Sequence, residues 1–138
     1  MATKLQKLGR VIKQVQYKHH RALDTELSQI GTTLTQWDAL RAIGRLPGSS
    51  AHDLAVETFQ SDQAFGTLAN RLITQGLIER KPGRGRRTEH YLTPAGKKIL
   101  EAGDPITNEV FEASFSHLSE LERATLLDLL VRLAGEES

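Results

Sequence analysis

Between Ser50 and Leu92 the chain is punctuated too closely for long elements, and this limits its fold more than any other feature. Ser50, with Asp53 three residues on, reads as a helix N-cap, because its hydroxyl can accept from an orphan backbone N–H of the first turn. Leu54, Ala55 and Phe59 are expected on the inner face of the short helix that follows. A break falls at Thr58–Gln60, and Ser61 then caps a second helix running to about Gln75, with Gly76 ending it. Phe65, Leu68, Ala69 and Leu72 recur at helical spacing and form its inner face. Asp62, Gln63, Gly66, Thr67, Asn70, Arg71 and Thr74 are left outside. Directly behind come Leu77–Lys81, the loop Pro82-Gly83-Arg84-Gly85, and Arg87–Leu92, which read as a strand reversal rich in cations. Two short helices with a tight turn, the second running into a hairpin, make a helix-turn-helix followed by a wing.

Longer helices flank this unit. Leu5, Leu8, Ile12, Val15, His19 and Ala22 recur in steps of three and four, with Val11 and Leu23 widening the stripe, so residues 4–28 read as one helix. So long a helix at the start of a small domain has little of its own chain to lie on, which points to a partner subunit. Gly31 and Thr32 break the pattern, and Thr35 with Asp38 reads as the next N-cap. The helix 36–45 turns Trp37, Leu40 and Ile43 to one side and stops at Pro47-Gly48. Thr93 caps a helix with Pro94 in its first turn, where a missing N–H costs nothing. Ile99, Ala102, Ile106, Val110 and Ala113 stay in phase across Gly103-Asp104-Pro105, which predicts a kink and not a termination. Ser119 through Glu122 is a capping box. The helix it opens carries Leu126, Leu129, Leu130 and Leu133 on one side and Leu127 and Val131 on another, so a second subunit is expected to cover it. The expected fold is mainly α with a small β-hairpin wing. Residues 1–138 form one domain, with a winged helix-turn-helix at 33–93 and dimerisation helices at 1–30 and 95–138.

Composition narrows the chemistry. The 138 residues include no cysteine, which removes disulfides, thiolate catalysis and Cys-based zinc sites together. His19, His20, His52, His90 and His117 form no HExxH pair, no GxSxG elbow is present, and GRG at 83–85 lacks the ending of a P-loop. Neither an enzyme, nor a cofactor, nor a metal site is expected. No apolar run approaches the ~20 residues of a membrane helix. The basic, interrupted start MATKLQKLGRVIKQ lacks a signal-peptide core, and the expected location is the cytoplasm. The formal charge of +1 hides segregation. Residues 1–21 carry six Lys or Arg and no acid, residues 71–100 carry eight against two acids, and residues 101–138 carry two against nine. A basic middle beside an acidic tail suits a polyanion-binding face with a different opposite end.

Duplex DNA is the polyanion that fits. A recognition helix needs short polar side chains that reach base edges, and Gln63, Thr67 and Asn70 have that character, while Arg71 can reach phosphate or guanine. Arg84, Arg86 and Arg87, with Arg80 and Lys81 at the root of the loop, suit phosphate contact or insertion into a narrow minor groove. Asp62 suits the helix dipole, yet it would repel phosphate or accept from cytosine N4. Gly66 in mid-helix costs roughly 1 kcal/mol against Ala, which a close approach of backbone to DNA would explain.

The run LTQWDALRAI, then HDLA, then LANRLITQGLIERKPGRGRRTEHYLTPAGKKIL resembles the MarR family of winged-helix transcriptional regulators. Its strongest correspondences are Leu68, Arg71-Leu72, Gly76 through Arg80, Arg86-Arg87, Leu92-Thr93 and Gly96. The resemblance implies a homodimer joined through its terminal helices and bound to a pseudo-palindromic operator, commonly as a repressor. It implies DNA contacts from Ser61, Gln63, Ala64, Gly66, Thr67, Asn70, Arg71, Arg84, Arg86 and Arg87. It also implies release by a small aromatic acid, with His19, His20 and Trp37 on helices near the effector cleft. Trp37 as plain core is the competing reading. A ligand-binding or protein-interaction module on the same fold, without operator binding, is the alternative function. The three loop arginines argue against it, while Asp62 and Gly66 leave it open.

Overall fold

The computed structural model describes residues 3–135, so 1–2 and 136–138 of the expected domain lie outside the described residues. The elements in chain order are α1 (Lys4–Leu27), a tight helical turn at Ser28–Ile30, α2 (Leu34–Arg45), α3 (Ala51–Glu57), α4 (Asp62–Thr74), β1 (Ile78–Pro82), β2 (Thr88–Leu92), α5 (Pro94–Phe115) and α6 (Glu120–Ala134). Four expected caps are in place: the hydroxyls of Ser50, Ser61, Thr93 and Ser119 accept from the N–H groups of Asp53, Ala64, Gly96 and Glu122. The fifth differs. Helix α2 starts two residues before the expected 36, and its cap is Thr33, which accepts from Gln36 N, not Thr35. The reason is remote in sequence: Oδ1 of Asp24 on α1 accepts from Leu34 N at 2.7 Å, satisfying a second orphan N–H at the earlier start.

The strands pair antiparallel, with Ile78 opposite Leu92, Arg80 opposite His90 and Pro82 opposite Thr88. A single bridge between Ser49 and His90 ties the α2–α3 loop to the edge of this hairpin. Beneath it lies a core of Leu40, Ile43, Leu54, Phe65, Leu72 and Ile78, all nearly or fully buried. A second cluster joins Leu23 and Leu27 of α1 to Trp37 of α2, against Ile106, Val110 and Phe111 of α5. Helix α5 continues through Pro105 without terminating there.

Phe59 departs from expectation. It does not join the inner face of α3 but stands 94% exposed. Buried Thr58 takes the inner position, its hydroxyl donating to the Leu54 carbonyl at 2.7 Å. The chain then turns through a left-handed Phe59 (φ 58). Phe59 N donates to Val56 O and Gln60 N to Ala55 O, the double closure that ends many helices, and it swings the ring outward.

Among the described residues no helix is long and apolar enough to cross a membrane. Apolar side chains do stand in solvent at both ends of the chain. Leu5, Leu8, Val11, Ile12 and Val15 of α1 and Leu121, Leu127, Leu129, Leu130 and Leu133 of α6 are all exposed.

Candidate nucleic-acid interface

Burial of Phe65, Leu68, Ala69 and Leu72 sets the rotation of α4. Gln63, Thr67 and Asn70 follow one another along its exposed side, one turn apart, flanked by exposed Ala64 and Arg71 and half-buried Gly66. Thr67 Oγ1 donates to the Gln63 carbonyl at 3.1 Å, which turns the hydroxyl along the helix. Ser61 heads the helix as its cap. Asp62 beside it is engaged: its Oδ1 lies 2.9 Å from Nδ1 of His52 on α3. That hydrogen bond, then the Asp62 charge, holds His52 above its ordinary 6.5. The His52 imidazole thus engages the one carboxylate on the outer side of α4 that would repel phosphate.

The hairpin loop is closed by Gly83 N donating to Arg87 O at 2.8 Å, with Gly85 at φ 64. Arg84, Arg86 and Arg87 are exposed on it. Nη2 of Arg87 lies 3.8 Å from Oδ2 of Asp53 on α3, linking the wing to the helix-turn-helix. No ion pair involves Arg71, Arg84 or Arg86 among the described residues. At the root of the loop the exposed Arg80 also has partners within the chain: Nη2 donates to Asn70 Oδ1 at 2.9 Å, and Nε donates to Nε2 of His90 at 3.3 Å. Lys81 lies 3.5 Å from Glu79 and over the Tyr91 ring.

His90 was missed in the sequence. It is fully buried, and its Nδ1 lies 2.9 Å from the Ser49 carbonyl. Strand parity carried the signal, because positions 78, 80, 90 and 92 share one face of the hairpin and Ile78 and Leu92 point that face inward.

The candidate effector residues are not brought around one cavity. Trp37 is buried in the core, its indole N–H donating to the Leu100 carbonyl at 3.2 Å. His19 sits between α1 and α5, with Nε2 2.6 Å from Ser114 Oγ and its ring edge-on to Phe111 and Phe115. His20, paired with Asp24 at 3.2 Å, does line a cleft of about 360 Å³, with Gln16, Leu34, Asp38, Phe59 and Gln60. No cluster of metal-ligating side chains occurs among the described residues.

A model of the MarR family matches residues 30–87, the span from the turn before α2 to the hairpin loop. A probable transcriptional regulator from Pseudomonas aeruginosa, solved as a crystal structure, superposes with a TM-score of 0.83 at 31% identity, over 91% of this chain and 95% of that one. The chain belongs to the MarR family. A crystal structure of a mutant MarR from Escherichia coli complexed with operator DNA gives a TM-score of 0.88 at 26% identity, over 94% and 95% of the two chains. Transcriptional regulator HosA from Escherichia coli O111:H- is 27% identical over 124 residues, 88% of this chain and 90% of its own length. This MarR-family chain is a winged helix-turn-helix transcriptional regulator.

Proposed function

We propose that the chain works in the cytoplasm as a homodimer that binds a pseudo-palindromic operator, without catalysing a reaction. Helix α4 lies in the major groove, and the hairpin loop tracks phosphate or the minor groove. The observation that carries this reading is the exposed file of Gln63, Thr67 and Asn70, flanked by Arg71 and accompanied by Arg84 and Arg86, which have no ion pair among the described residues. The operator-bound E. coli MarR structure shares this architecture. The chain acts as a repressor, and a small aromatic acid releases it from the cleft beside His20. A cleft of about 360 Å³ is of small-ligand size. Phe59 on its wall is two residues from the cap of α4, so occupancy there bears directly on the recognition helix.

Operator binding measured at several salt concentrations separates the roles. Arg86→Ala should weaken every duplex about equally and flatten the log–log salt slope by about one unit. Gln63→Ala or Thr67→Ala should cost roughly 1–3 kcal/mol on the preferred operator and little on scrambled DNA. Selected operators should be inverted repeats with half-sites ~10 bp apart. An aromatic carboxylate should lower operator affinity in the wild type and do so less in His20→Ala. If neither class of mutant altered binding, the DNA site would lie elsewhere.

A further inference from the structure

Asn70 stands on the exposed side of α4, and its amide has one end engaged by a neighbour. The atom directed at Arg80 Nη2, at 2.9 Å, must be the oxygen, because a guanidinium has only N–H donors. Arg80 is itself held, since its Nε donates to His90 Nε2. That nitrogen can accept because Nδ1 carries the ring proton, given to the Ser49 carbonyl at 2.9 Å. The His90 ring is fully buried, edge-on to Phe65 with centroids 6.3 Å apart. The run Asn70, Arg80, His90, Ser49 therefore has one hydrogen arrangement, and it joins α4, both strands and the α2–α3 loop.

We propose that Arg80 is a positioning residue that sets base specificity: by drawing the Asn70 carbonyl toward itself it turns the amide N–H donors outward, and these favour guanine over adenine. An unheld asparagine does the reverse, pairing with adenine through its oxygen to N6 and its amide to N7. Guanine presents O6 and N7, two acceptors and no donor, in the major groove. The inference rests on α4 lying in the major groove as proposed above. Arg80 makes no DNA contact of its own in this scheme.

The test is selection of bound duplexes from a random pool, using the full chain and three variants. Asn70→Ala should lose its preference at one position of each half-site, which identifies the base that Asn70 reads. The wild type should prefer guanine to adenine there by about fivefold or more. Arg80→Met, which keeps the aliphatic stem, should move that position toward adenine and leave the others unchanged. Asn70→Asp keeps a partner for Arg80 but presents an acceptor, and should move the position toward cytosine, whose N4 donates. Should Arg80→Met fail to fold, the choice of guanine or adenine at that position by the wild type still decides the idea. Adenine at that position in the wild type would overturn the inference. So would Arg80→Met lowering affinity for all duplexes with base preference intact, the behaviour of a purely structural brace. If Asn70→Ala altered no position while the wild type still enriched an inverted repeat, this inference alone would fall. If the wild type enriched no motif, operator binding itself would fall with it.

Discussion

Gly66 has open space where a Cβ would stand, so nothing inside the folded chain requires glycine there. Alanine in mid-helix should then raise the stability of the free protein by about 1 kcal/mol. If the backbone of α4 approaches DNA closely at this turn, Gly66→Ala should also weaken operator binding. A denaturation curve and a binding isotherm on the same preparation check both halves, and unchanged affinity would remove the close approach. His90 makes a different demand. Burial first, and then the Arg80 guanidinium, lower its pKa below 6.5, against the opposing hydrogen bond to Ser49. The unfolded chain takes up a proton near 6.5 and the folded chain only at lower pH, so this contribution to stability is complete above 6.5 and is lost as pH falls through the folded value. Urea midpoints measured from about pH 8 down to pH 5 should therefore fall on the acid side, and less steeply in His90→Gln. A midpoint decline of equal steepness in the variant would show that His90 is not the group responsible. His52 runs in the opposite sense, since Asp62 raises its pKa, but both members of the pair are in open solvent.

Helix α5 comes too close to its neighbours at two glycines for any side chain there. A Cβ on Gly96 would lie 2.0 Å from the Leu77 carbonyl oxygen, and one on Gly103 would lie 2.1 Å from Nε1 of Trp37. Neither neighbour can yield easily, because Leu77 O accepts from Thr93 N and the indole N–H is bonded to Leu100 O. Gly103→Ala should cost about 1–3 kcal/mol from overpacking, read as a lower melting temperature with operator specificity unchanged. A melting temperature equal to that of the wild type would mean that Trp37 can shift aside. The helices themselves were legible in sequence wherever their determinants are local. Ser50, Ser61, Thr93 and Ser119 each bond within three residues, so short-range pattern sufficed. Thr33 was passed over for Thr35 because the group that rewards the earlier start, Asp24, lies ten residues back on another helix. Phe59 was misplaced for a related reason. Apolar periodicity assumes that the helix continues, and the left-handed closure had already ended it.

Assembly follows from what α1 and α6 leave uncovered. Leu5 is 79% exposed and Leu121 78% exposed, and none of the described residues of α6 is buried. Covering these faces with a second copy accounts for them, and the acid-free basic start of the chain and its acidic last third add attraction between the two ends. Sedimentation should show a dimer at micromolar concentration that loosens as salt rises, and truncation after His117 should give a monomer. A folded monomer of the full chain under those conditions would refute it. The short-range features of the chain were sufficient for the helix-turn-helix, the wing, the inner side of α4 and the three loop arginines, because caps, turns and apolar periods act over a few residues. Which polar groups meet across the fold was not readable in that way. Arg80 reads in sequence only as a cation for phosphate, and the fold adds that it lies opposite His90 in the register and beside Asn70 on α4. The resemblance put Trp37, His19 and His20 on helices near the effector cleft, with Trp37 as core the competing reading; packing places Trp37 in the core, His19 between α1 and α5, and His20 on a cleft. A side chain's own neighbours set its helix or strand, but its partners come from segments tens of residues away, and only the packed chain brings those together.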